Sequence, residues 1–330
     1  MKIAYGINVQ ARNDPYVRIA EEAMRGPSKA ASPGLYLVDT CPVLKYITSW
    51  FPGAGFKKET AEFRKSLDAL LRTPYEDFRG RLLEGKAPKC AATSLLQTFG
   101  NSSEAESDIK ITPATMYIGM LRPTVSTLSI FFLAMIFHPD VQAKAQDELD
   151  TVLGGGRLPE LSDQASMPDI TCVMKESLRW KPVASINLPH RLTQDDVYRG
   201  YQIPRVSIVC SNNRAILHDE DVYPNSPAFD PDRFMRDGAL NTELQDPATV
   251  ALGFGRRICP GRYMAQDMHW IAIASVLTTF NIIKEVNEGG EEVMPETRSL
   301  PGFVSHPMPF KCTIRPRSDR HIRLIEAALG

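Results

Sequence analysis

The chain has 330 residues, 43% of them hydrophobic and 23% charged, with a formal net charge of -1. That balance fits a globular protein able to bury a large core and excludes an intrinsically disordered chain. With basic residues concentrated only in RPRSDRHIR near the C-terminus, which reads as a solvated end, no electrostatic footprint for nucleic acid is present.

The N-terminal run MKIAYGINVQARNDPY has no basic start followed by an apolar stretch, so neither a signal peptide nor an anchor is expected there. Residues 1–110 read as helices broken by Gly/Pro turns at 25–34 and 52–55, and the polar run at 101–108 reads as a surface loop. From Thr112 to Phe137 the chain is apolar for long enough to suggest a membrane span. Arg122 and Pro123 at its centre, and a soluble amphipathic segment directly after it, favour a long buried helix instead. That next segment predicts a helix capped by His138, opened by Pro139 and ended by Gly154–Gly156. A further helix is expected from near Pro168 to before Pro182, followed by short β-prone runs over 190–212. Beyond Cys259 a helix beginning at Pro260 is expected, and the tail from Ser305 returns to strand-like alternation. No linker cuts the chain, so 1–330 is expected as one mainly α domain with small β-sheets, an α+β fold.

Six cysteines, Cys41, Cys90, Cys172, Cys210, Cys259 and Cys312, are scattered without the close pairs of a zinc site or a small disulfide framework. A reducing environment fits this usage best. One of them lies in an unusual run, LGFGRRICPGR at 252–262. Glycines there let the backbone turn sharply and approach a flat ligand closely. A thiolate at Cys259 could bind a metal, and the helix expected to follow would turn its positive end toward the sulfur. Gly253 and Gly255 are not followed by the third glycine of a dinucleotide loop, so a phosphate cradle is excluded. Taken alone, a single cysteine of this kind is most often an inert, buried small hydrophobe.

The surrounding pattern changes that reading. The run resembles the haem-binding loop of the cytochrome P-450 family, with Gly255, Arg257, Cys259 and Gly261 on the family's positions and Leu252 where its phenylalanine stands. Two further family elements appear in the family's order: Glu176 and Arg179 in KESLR, and Arg233 in FDPDRF, where a Glu-Arg-Arg cluster belongs. The resemblance is nearest to fungal microsomal members, and it implies a cytochrome P-450 fold lacking its N-terminal part, including the anchor. It implies haem b, with Cys259 as the axial thiolate, Arg257 and His190 toward the propionates, and Leu252, Gly253, Phe254, Gly255, Gly261 and Gly119 against the cofactor. A monooxygenase is the expected activity, with O2, a small apolar substrate and electrons from an NADPH-dependent flavoprotein reductase. The family resides at the endoplasmic reticulum membrane, facing the cytoplasm, whereas this chain alone reads as soluble and intracellular. Substrate contacts are implied around Ile118–Ser126 and Phe303–Pro307.

The distal helix departs from the family. Gly119, Met120, Leu121, Arg122 and Pro123 fall on its Ala/Gly, Gly, any, acid, Thr pattern, so only the first place is kept. Pro123 removes a hydroxyl and a backbone donor, and Arg122 reverses a charge. Thr124 is the candidate catalytic hydroxyl, one residue late and about 100° round the helix unless Pro123 kinks it. A haem-binding or haem-free pseudoenzyme is therefore the competing expectation.

Overall fold

The computed structural model describes all residues except 31–33, 101, 301, 303 and 330, and not the side chains at 103, 104 and 329. Phe303, expected near the substrate, lies outside the described residues. The fold is mainly helical with small antiparallel sheets, as expected. Two compact units are distinguishable, Met1–Arg122 and Pro123–Gly330.

In the first unit, α1 spans Pro15–Ala30, α2 Gly55–Leu83 and α3 Ala91–Phe99, and α4, Ser103–Phe137, begins. Asp14 starts α1: its Oδ1 accepts the N–H groups of Tyr16 and Val17 at 2.8 and 3.1 Å, and Pro15, which has no N–H to satisfy, comes first. The helix runs through Pro27 to Ala30, so the turn expected from residue 25 begins later. Ala20 and Ala23 are fully buried in a cluster with Leu70 and Tyr117. Gly26 completes this small-residue face, since a Cβ there would lie 2.2 Å from Cγ of Phe63 on α2. The run expected as a surface loop is largely the first turns of α4. Ser102 caps that helix through its Oγ, which accepts the Ala105 N–H at 3.1 Å.

The rest of α4 belongs to the second unit. Over Ala105–Phe137 this helix is long and apolar enough to cross a membrane by length and composition. Within the fold, Phe131, Ala134, Met135 and Ile136 pack in a core with residues of three further helices. These are α5 (Pro139–Leu153), α6 (Pro168–Trp180) and α7 (Arg262–Thr279). Leu149 of α5, Val173 of α6 and Trp270, Ile273 and Leu277 of α7 meet in it. The apolar spacing of α5 and α6 is thus explained by one shared core. His138 does not cap α5 with its side chain. Its ring instead packs against Phe229 with centroids 5.2 Å apart.

The strands are short. β1 (His190–Arg191) pairs with β4 (Ile208–Val209), and β2 (Asp196–Tyr198) with β3 (Tyr201–Ile203). The β2–β3 turn is Arg199-Gly200, both at positive φ (49 and 85°), the two-residue geometry that matches strand twist. β5 (Met235–Arg236) pairs with β6 (Ala239–Leu240), and β9 (Ser299–Leu300) with β10 (His306–Pro307). β7 (Phe280–Val286) lies between β8 (Glu292–Val293) and β11 (Cys312–Pro316). The basic tail is not simply a solvated end. It forms α8, Asp319–Leu329, beside which Arg317 grips Asp150 through two bonds of 2.9 and 2.6 Å. Arg320 donates to the Gly154 carbonyl at 2.8 Å, placing cations at the C-terminus of α5 where the helix dipole favours them.

Candidate functional site

The loop 252–261 is closed by its own backbone. The Cys259 N–H donates to the Leu252 carbonyl at 2.7 Å, and Ile258 N–H to Gly255 at 3.2 Å. Gly253 and Gly255 hold φ of 84 and 55°, which a side-chain-bearing residue would adopt only with strain. The 3-10 turn Gly255–Arg257 lies between them and the cysteine. Helix α7 starts at Arg262 rather than Pro260, with Arg262 N–H on the Cys259 carbonyl at 3.2 Å. Pro260 and Gly261 therefore make a turn, and a Cβ on Gly261 would stand 3.9 Å from the Cys259 Sγ.

Cys259 is a free, half-buried thiol. Leu252 is half-buried, Phe254 is 43% exposed, and Arg257 is exposed with no carboxylate partner among the described residues. The loop thus carries a half-buried sulfur, an exposed aromatic ring, glycine backbone and a cation with no carboxylate partner among the described residues. No group of three or more His, Cys, Asp or Glu side chains able to hold a metal occurs among the described residues. A metal at Cys259 would therefore have to bring most of its own ligands. Iron porphyrin does so, needing one soft axial donor, a flat apolar contact and a cation for its carboxylates, and these residues fit it.

His190 is exposed on β1, opposite Val209 of β4. The segment leading into β1 reaches the cysteine loop at Asn187, whose Nδ2 is 3.5 Å from where a Gly253 Cβ would lie. Composition and spacing gave no sign of Asn187. Its only sequence signal is its place three residues before His190.

The Glu-Arg-Arg cluster forms as expected and is buried. Glu176 and Arg179 are joined by two bonds of 2.7 Å, and Arg233 Nε reaches Glu176 at 3.3 Å. All three side chains are shielded, at 0, 0 and 6% exposure. The spare donors are used on backbone: Arg179 on Leu217 and Ala228, and Arg233 on Pro224. Burial pushes the Glu176 carboxyl up, against the opposing pull of the Arg179 guanidinium. The cluster ties α6 to the segment 217–233, well within the second unit.

On α4, Arg122 turns toward α1. Its Nη1 donates to Ser28 Oγ at 2.8 Å and to the Met24 carbonyl at 3.3 Å, so the reversed charge is absorbed at the C-terminal end of α1. Gly119 is exposed, with open space where a Cβ would be. Pro123 lies inside the helix Ser103–Phe137. Thr124 is half-buried. The next hydroxyls differ: Thr127 bonds back to the Pro123 carbonyl at 3.0 Å, while the fully buried Ser126 donates to the carbonyl of Ser305. Beyond Ser126 a cavity of about 430 Å³ is lined by Ser129 and Phe132 of α4 and by Leu300, His306, Pro307 and Met308 of the tail.

Residues 1–314 match the family model for cytochrome P-450. The chain is 43% identical over 328 residues to a cytochrome P-450 monooxygenase of Armillaria gallica, covering 98% of this chain and 64% of the relative. It is 42% identical to cytochrome P-450 monooxygenase 98 of Postia placenta, over 96% of this chain and 62% of that one. It is 37% identical to the tryptamine 4-monooxygenase of Psilocybe cyanescens, over 98% and 65% of the two chains. The chain spans a little under two thirds of the length of these relatives.

Proposed function

Because the chain belongs to the cytochrome P-450 family, we propose that it supplies the haem-thiolate part of a monooxygenase acting on a small apolar substrate. The observation that carries this reading is the loop in which the Cys259 N–H is tied to Leu252 and two glycines at positive φ clear the backbone beside the thiol. Cys259 would hold the haem iron through its thiolate, Arg257 would pair with a haem carboxylate, and His190 would be its hydrogen-bonding companion. Leu252, Gly253, Phe254, Gly255 and Gly261 would cover the cofactor on the thiolate side, and Gly119 would be the small-residue contact that the family resemblance implies. Bound haem b would supply the dioxygen chemistry, with electrons from an NADPH-dependent flavoprotein reductase. The residues of the chain orient it: the Glu176 cluster braces the segment 217–233 in the same unit as the cysteine loop. Thr124 is assigned the distal hydroxyl. The membrane assignment, at the endoplasmic reticulum, follows the microsomal members that the sequence resembles.

A second reading, a haem-binding or haem-free protein without turnover, is favoured by one observation. Arg122 is committed to Ser28 and Met24, and Pro123 offers no hydroxyl. A carbon monoxide difference spectrum of the reduced, haem-supplied chain tests the first step. The red-shifted Soret band of thiolate ligation is expected for the native chain and not for Cys259→Ser. No band in the native chain overturns the assignment of Cys259. If the band is present, NADPH-dependent product formation with a reductase separates turnover from the second reading.

A further inference from the structure

Three hydroxyls along α4 satisfy themselves at home. Thr115 donates to the Ile111 carbonyl at 2.9 Å, Thr127 to Pro123 at 3.0 Å and Ser129 to Val125 at 2.8 Å, the usual back-bond for a hydroxyl inside a helix. Ser126 does otherwise. It is 0% exposed, and its hydroxyl crosses 179 positions in sequence to the Ser305 carbonyl. Ser305 is held from the other side as well, its N–H donating to the Val183 carbonyl at 2.8 Å. The peptide groups flanking one tail residue are therefore strapped to α4 and to the segment that follows α6.

Beside the strap, helix and tail also meet at a cavity and at the core. A cavity of about 430 Å³ is lined by Ser129 and Phe132 of the helix and by Leu300, Pro307 and Met308 of the tail, while Phe132 and Phe310 pack against the same core. Gly119 and Ser126 are seven residues apart, two helical turns, and fall within about 20° of each other on α4. On an ideal helix Thr124 falls about 140° round from Gly119.

We propose that Ser126 is a positioning residue that sets the gap between the distal helix and the tail turn at 304–306, and through it the size of ligand the site accepts. The selectivity half of this proposal rests on the haem monooxygenase reading; the strap does not. Ser126 acts through Ser305 and touches no reacting atom.

The test uses the haem-supplied full chain, native and as Ser126→Ala and Ser126→Thr. Hydrogen exchange at Val304, Ser305 and His306 is expected to rise about tenfold in Ser126→Ala, the size of effect one net hydrogen bond gives, and to return toward native in Ser126→Thr. Two nitrogenous haem ligands, imidazole and the bulky clotrimazole, then probe the site by their spectral binding curves. Clotrimazole affinity is expected to change about tenfold in Ser126→Ala and to be restored by Thr, while imidazole changes less than about twofold. Unchanged exchange in Ser126→Ala overturns the strap. Equal effects on both ligands overturn the control of size. If neither ligand perturbs the native spectrum, the haem reading fails and the selectivity claim with it, while exchange still decides the strap.

Discussion

Arg122 shows how one residue can leave a motif without being left over. A cation in place of an acid on the distal helix reads, from sequence, as lost proton delivery, and reverting it to aspartate looks like a repair. Its contacts argue otherwise. The guanidinium donates to Ser28 Oγ and to the Met24 carbonyl, in the last turns of α1 where partial negative charge gathers. Arg122→Asp would remove both bonds and set a carboxylate against that helix end. We expect it to cost about 2 kcal/mol, the range for hydrogen bonds to a charged group, with Arg122→Lys losing less, as measured by urea denaturation. Equal stability of the aspartate variant and the native chain would refute the clamp. Cys259 was legible because its glycines and arginine have fixed spacing in the chain. Asn187 and Ser126 were not, because what singles them out is a neighbour far away in sequence, Gly253 and Ser305 respectively.

At the scale of elements, the Glu176 cluster joins a helix to an irregular segment that has little other regular structure to hold it. Two guanidinium groups and the Asp230 N–H, at 2.8 Å, converge on one carboxylate that water cannot reach. Glu176→Ala would leave Arg179 buried and unpaired, and the loss expected is about 3–5 kcal/mol. Thermal unfolding of the full chain checks this, and a change near zero would mean water or another acid replaces the carboxylate. The α1–α2 crossing makes a second case. Gly26→Ala would drive a methyl into the Phe63 ring, for an expected overpacking cost of about 1–3 kcal/mol in the same measurement. Helices α5 and α6 could be read ahead because proline, glycine and apolar spacing all agree over their lengths. The start of α4 could not, because a polar run outweighed the single Ser102 cap that in fact begins a helix. The paired strands of two or three residues lie near the limit of what alternation can reveal, since so short a stretch hardly establishes a period. The grip of Arg317 on Asp150 joins positions far apart in the chain, which no local pattern encodes.

For the molecule as a whole, a net charge of -1 leaves little overall repulsion at neutral pH, so its pH response rests on individual buried groups. Burial lowers the affinity for protons of His138, His218, His269 and His321, most of all at His269, brought down to about 4. The ring of His269 is 4% exposed and its Nε2 has no hydrogen-bond partner among the described residues. A histidine whose folded value lies below its unfolded one, near 6.5, binds its proton more readily when the chain unfolds. Stability from His269 is therefore complete above pH 6.5 and is lost as pH falls toward 4. Burial raises the Glu148 and Glu176 carboxyls, which work in the opposite sense, so the raw pH profile of the native chain mixes both. Comparing it with His269→Gln isolates the histidine. Between about pH 7.5 and about pH 5 the native chain should lose about 2 kcal/mol more than the variant. Parallel profiles for the two, measured by denaturant midpoint across that interval, would show that acid reaches the His269 ring in the folded protein.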